Sequence, residues 1–149
     1  VESLWTMAGA LRWADAGKLE TWIHEYLTGE GNNKAFSDGL KLMQRRYFGP
    51  IVFPLRHLVR CTGPEETMKY RVSRDSFEQR VQRIGQALQQ GFDLPPLIVH
   101  YFGGQFELND GNHRYEALIR NRVEHFGVVI WTTGTADFED FKARLELGA

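Results

Sequence analysis

Apolar residues in the first third of the chain recur at the spacing of one helix face. Leu19, Trp22, Ile23, Tyr26 and Leu27 fall three and four positions apart, which stacks them on one side of an α-helix. The helical pattern begins at Leu4 and breaks at Gly29-Glu30-Gly31-Asn32-Asn33. It resumes over residues 34–47 as one helix or two short ones, interrupted near Gly39. Gly49-Pro50 and Pro54 make the next stretch irregular, with a single helical turn expected over 55–59 before Gly63-Pro64.

Beyond residue 73 the pattern alternates between helix and strand. Phe77, Val81, Ile84 and Leu88 recur at helical intervals, and Asp75 and Glu78 have capping-box spacing, so a helix is expected over 75–90, stopped by Gly91. Residues 97–102 read as a buried strand, Gly103-Gly104 as a hairpin turn and 105–109 as the returning strand. A helix over 112–121, a strand over 126–131 and a last helix capped by Asp137, with Phe138, Phe141 and Leu145 inward, complete the order. The expected fold is α+β: a mixed sheet with flanking helices and an N-terminal helical layer. It forms one domain over 1–149, with the layer in 1–64 and the core in 65–149.

Composition narrows the class. With 149 residues, 42% apolar and 25% charged, the chain can bury a core without staples. No apolar run reaches the length of a membrane span and the N-terminus does not read as a signal peptide, so a cytoplasmic protein is expected. Val1 in place of an initiator Met suggests trimming or an unordered start. The single cysteine, Cys61, precedes a Thr62-Gly63-Pro64 turn and reads as a packing residue. A net charge of −1 leaves no basic footprint for a dedicated nucleic-acid binder, and His24, His57, His100 and His125 lack zinc spacing.

The chemistry concentrates in Asp110-Gly111-Asn112-His113-Arg114, where the returning strand meets the 112–121 helix. A helix N-terminus presents unpaired N–H groups and partial positive charge, which favour anions. His113 and Arg114 break that local rule, and a bound phosphate would resolve the conflict by accepting from the backbone of residues 111–114 and from both side chains. The plainer alternative makes Asp110-Gly111 a cap and tight turn, His113 half-buried and Arg114 a surface ion-pair partner. Arg80, Arg83 and Ala87 line one flank of the 75–90 helix. Glu116 and Arg120 have the spacing of a structural ion pair, and Asn32, Asn33 and Lys34 form a polar loop that could close over a ligand, an ordinary surface loop being the plainer reading.

The run Pro96-Leu97-Ile98-Val99, the run from Gly104 through Asp110-Gly111-Asn112-His113-Arg114 to Leu118, and Val128-Val129-Ile130 together resemble the ParB/sulfiredoxin superfamily, from near Ser73 to near Trp131. That group contains the nucleotide-binding domain of ParB partition proteins, sulfiredoxin and an ADP-dependent free-serine kinase. The resemblance implies a nucleotide-phosphate site made by Gly111, Asn112, His113 and Arg114, supported by Arg80 where sulfiredoxin has a phosphate-holding lysine. It implies ATP or ADP as ligand, with CTP a further candidate and Mg²⁺ sharing the phosphate charge. Three activities follow. One is a phosphotransferase or nucleotide hydrolase, with Asp110 and His113 catalytic and a small hydroxylated substrate. Another is a non-catalytic nucleotide sensor. The last is a DNA-associated, nuclease-like protein that needs a partner, because ParB carries its DNA-reading motif after this domain and the sequence ends at Ala149. Sulfiredoxin chemistry is not expected, since Asn112 stands where that enzyme has its reactive cysteine.

Overall fold

The computed structural model describes residues 4–147, so both chain ends, including Val1 and Ala149, lie outside the described residues. Three helices lead: α1 (Met7–Asp15), α2 (Leu19–Thr28) and α3 (Lys34–Leu40). The five residues selected by spacing are the buried face of α2. Trp22 and Tyr26 stack there with ring centroids 5.1 Å apart. Enclosing such large side chains contributes roughly 1.5–3 kcal/mol each, which holds this helical layer on the rest of the protein.

The helix expected over 34–47 stops at Leu40, and β1 (Arg45–Pro54) takes its second half and the stretch read as irregular. β1 is an edge strand, so the backbone N–H that proline lacks costs no ladder bond on its outer side. Gly49 and Pro50 sit where its register breaks, between Phe48 and Ile51. A 3₁₀ turn (Leu55–His57) leads into three strands too short to show alternation: β2 (Leu58–Arg60), β3 (Thr62–Gly63) and β4 (Tyr70–Arg71).

The second half follows the expected order: α4 (Arg74–Gln89), β5 (Leu97–Phe102), β6 (Gln105–Asp110), α5 (Asn112–Arg120), β7 (His125–Thr133) and α6 (Thr135–Glu146). Two caps differ. Ser73, not Asp75, caps α4 through its hydroxyl, and α6 starts behind Gly134, with Asp137 in its first turn.

The sheet runs β1-β7-β5-β6-β2. The β5–β7 and β2–β6 pairs are parallel, β1–β7 and β5–β6 antiparallel. β1 and β2 come from the first 64 residues, so one sheet draws on both halves of the chain. Leu97, Val99, Leu108, Val128 and Ile130 occupy one face, against Leu118 of α5 and Phe141 of α6. Ile98, Val129 and Trp131 occupy the other, against Trp22, Ile23, Tyr26 and Leu27 of α2 and Leu40 of α3. α4 packs beside α5 through Phe77, Val81 and Ala117.

One irregularity matters for the site. Val99 pairs with Leu108 but Ile98 pairs with Asp110, so Asn109 is an extra residue in β6. This bulge puts Asp110 opposite Ile98, on the face that meets the N-terminal helices.

Candidate functional site

The bulge feeds the turn into α5. Gly111 precedes that helix with φ 102°, and no side chain caps its amino end. A side chain at 111 is excluded twice. Its backbone lies in the left-handed region, and a Cβ would come within 2.6 Å of Leu97 Cδ2 and 2.8 Å of Arg114 Nη2.

Arg114 is therefore underneath the turn, not on its surface. Only 9% exposed, it donates from Nη1 to the Tyr26 hydroxyl at 2.8 Å, and from Nη2 to the Pro96 carbonyl at 3.0 Å and to Asp110 Oδ2 at 3.3 Å. Burial works against its charge, but Tyr26 and Asp110 more than offset this and raise its pKa. The planar fork expected to grip phosphate is thus directed at the protein. Asp110 is equally committed, since its other oxygen accepts from Asn33 Nδ2 at 3.4 Å. Together Tyr26, Arg114, Asp110 and Asn33 join the helical layer to the motif. Buried polar groups persist only when so paired.

Asn112 also faces inward. Its Oδ1 accepts from the backbone N–H groups of Cys61 and Thr62, at 3.1 and 3.2 Å, and its Nδ2 donates to the Leu108 carbonyl at 3.2 Å. Cys61, distant in sequence, is consequently adjacent to the motif in space. Its thiol donates to the same Leu108 carbonyl at 2.8 Å, and burial pushes its pKa up.

His113 and Arg80 are the side chains left for a ligand. Both line a cleft of about 150 Å³, with Thr62 and Asn33 opposite Asp110 and Gly111. The His113 ring lies 4.9 Å from that of Phe77, and its pKa falls to about 4, first through burial and then through Arg80 and Arg114, with Arg60 adding to the effect. Arg60 is paired with Glu65 at 2.5 Å, whereas no carboxylate pairs with Arg80 among the described residues. The cleft thus combines an uncapped helix N-terminus, a neutral imidazole and an unopposed guanidinium. Its single carboxylate, Asp110, is already shared by two donors. Among the described residues no group of three or more His, Cys, Asp and Glu side chains is placed to hold a metal ion.

The local pattern singled out Asp110, Gly111 and His113, the resemblance added Arg80, and the fold brings these to one cleft. Tyr26 and Thr62 were missed as site residues, and of the two readings of the Asn33 loop the surface-loop one was preferred, whereas Asn33 lines the cleft. Nothing local marks them: each reaches the motif from another element through tertiary packing. Arg83 does not line the cleft, and Glu116 pairs with Arg120 at 2.9 Å as its spacing implied.

Neither a protein-family model nor a curated protein matches the chain. Among solved structures it is similar to sulfiredoxin from Arabidopsis thaliana, at 22% identity over 64% of this chain and 98% of that one, with a TM-score of 0.39. It is also similar to the C-terminally truncated chromosome-partitioning protein ParB from Caulobacter crescentus complexed with CTP-gamma-S, at 18% identity and a TM-score of 0.39. That match covers 64% of this chain and 47% of the ParB chain, so the chain spans about half the length of that protein. Both likenesses are distant and leave about a third of this chain unmatched.

Proposed function

We propose that the chain binds a nucleotide through its phosphates at the amino end of α5. The observation that supports this most is the unopposed Arg80 guanidinium facing an uncapped helix N-terminus across one small cleft. Phosphate oxygens there would meet backbone N–H groups, the helix dipole and Arg80 together. An anion there would offset the surrounding arginines and raise the His113 pKa. Arg114 and Asn112 act from below by holding the turn in shape. The nucleotides to test are ATP, ADP and CTP.

Calorimetric titration of each nucleotide into wild type and Arg80→Ala tests the reading. Arg80 is exposed, so its removal leaves folding nearly unchanged, while loss of a charge-assisted contact weakens binding by about 1.5–3 kcal/mol. No affinity for any of the three, or equal affinity in the variant, would overturn it.

Turnover is the second reading, favoured by the Asp110 carboxylate in the same cleft. There Asp110 would take the proton of a small hydroxylated acceptor as the phosphoryl group moves. Asp110→Asn keeps the shape but also takes the charge that pairs with the buried Arg114, so urea unfolding of the variant accompanies the assay. Nucleotide consumption by wild type that disappears in this variant, with binding retained, supports an enzyme; binding without consumption in wild type supports a sensor.

A further inference from the structure

A groove of about 550 Å³ opens between the α1–α2 corner and the edge strand β1, and it shares no lining residue with the cleft at the amino end of α5. Leu11 and Leu19 form its helical wall, Pro50 and Ile51 its strand wall. The apolar surface is open to solvent: Leu11 is 43% exposed, and Val52, the next residue along β1, is 76% exposed. The volume is that of a small-molecule pocket.

Charge decides what suits it. Asp15, Glu20 and Arg45 are the charged lining residues, two anions to one cation. Arg45 is already engaged, since it donates to the Gly39 and Leu40 carbonyls and to the Thr133 hydroxyl and lies over the Trp131 ring at 5.1 Å. Asp15 and Glu20 are exposed, and among the described residues neither has an ion-pair partner. The groove therefore presents two uncompensated carboxylates beside an apolar wall, which favours a cation with an apolar body.

Tyr47 adds an aromatic face to the same groove. Burial first, and then the nearby Glu20 carboxylate, push its pKa up to about 12, so it stays a neutral phenol. Among the described residues no cation lies over its ring, although Arg45 and Arg46, its neighbours in β1, lie over Trp131 and Phe138. An ammonium beside Glu20 has that ring free to sit on.

The strand edge alongside argues for a free molecule over a polypeptide. Pro50 and Pro54 lack the N–H that an added strand would use, and the register break between Phe48 and Ile51 interrupts the edge. A small amine needs no such ladder.

We propose that this groove binds a small organic ammonium ion, its charge held by Glu20, Asp15 and the Tyr47 face and its apolar body lying against Leu11, Leu19 and Ile51. The site is separate from the nucleotide reading and stands without it.

The test is ligand-observed NMR titration of the whole chain with phenethylamine and tyramine. Three controls each lack one feature: 2-phenylethanol has no charge, 3-phenylpropionate has the opposite charge, and ethanolamine has the charge without the body. At least one amine binds, all three controls bind more weakly, and added salt weakens the amine. Asp15→Asn combined with Glu20→Gln weakens it roughly fivefold or more. Both side chains are exposed, so this variant folds. The proposal falls if no amine binds, if a control binds as well as the amines, or if the double variant binds unchanged. Tighter binding of N-acetyl-lysine methylamide than of either free amine would also overturn it, by assigning the groove to a partner's lysine.

Discussion

Arg114 Nη2 lies 2.8 Å from the point that a Cβ on Gly111 would occupy, so the glycine and the buried arginine fit only as a pair. Gly111→Ala forces a left-handed residue against a guanidinium that has no room to retreat, and should cost at least about 1–3 kcal/mol of stability. Gly103→Ala is the control, since its φ is also positive, at 54°, but nothing lies within 4 Å of the added methyl. Urea unfolding should show a clearly larger loss for Gly111→Ala. Equal losses would mean that the turn is not packed on Arg114.

Arg114 itself should behave as a structural residue. Replacing it with alanine leaves Asp110 and the Tyr26 hydroxyl without their shared partner, and breaking a buried pair in this way costs roughly 3–5 kcal/mol. Tyr26→Phe removes one acceptor and should cost about 1–3 kcal/mol. The double variant should lose less than the sum, because both changes act on one bond. Additive losses in a denaturant series would show that Tyr26 and Arg114 are not coupled.

These two residues also show where sequence reasoning stops. The buried face of α2 and the strand at residues 97–102 were legible because burial imposes a period on neighbouring residues. So was the helix start at residue 112, through its glycine. β1 was hidden because Gly49, Pro50 and Pro54 are breakers in a helix or a central strand but tolerable on a sheet edge. The orientation of Arg114 was illegible for a different reason. A helix-start arginine points outward or inward according to what lies beneath, and here that is Tyr26, 88 residues away. Asn112 was likewise committed to Cys61 and Thr62 by a chain path that no local pattern encodes.

Stability should fall with acid through two histidines. His113 and His100 are both held to about 4, burial being the first cause in each, against 6.5 for a free side chain. Between those values the unfolded chain binds protons that the folded chain refuses, so it gains relative stability as pH drops. The folded state therefore keeps its full advantage above about 6.5, loses it progressively down to about 4, and loses nothing further from these groups below that. Urea midpoints measured across this range check it. His113→Asn should flatten part of the slope. In Arg80→Ala, NMR titration should find His113 protonating above its wild-type pH, because a repelling charge is gone.

Cys61 separates proximity from reactivity. The fold brings it against Asn112, with Sγ 4.0 Å from Asn112 Nδ2, despite its distance along the chain. A thiol so placed could be mistaken for a nucleophile beside the cleft at the amino end of α5. Its surroundings oppose that role: it is 4% exposed, its proton is directed at the Leu108 carbonyl, and burial raises its pKa, all of which disfavour the thiolate that reacts. Iodoacetamide should modify Cys61 slowly in the native protein and rapidly in denaturant. Asn112→Ala, which unties the Cys61 and Thr62 N–H groups, should speed the native reaction by loosening that segment. ATP-dependent reduction of a peroxiredoxin sulfinic acid should be undetectable. Fast native alkylation, or a reductase activity abolished by Cys61→Ala, would show that the thiol is presented to the cleft after all.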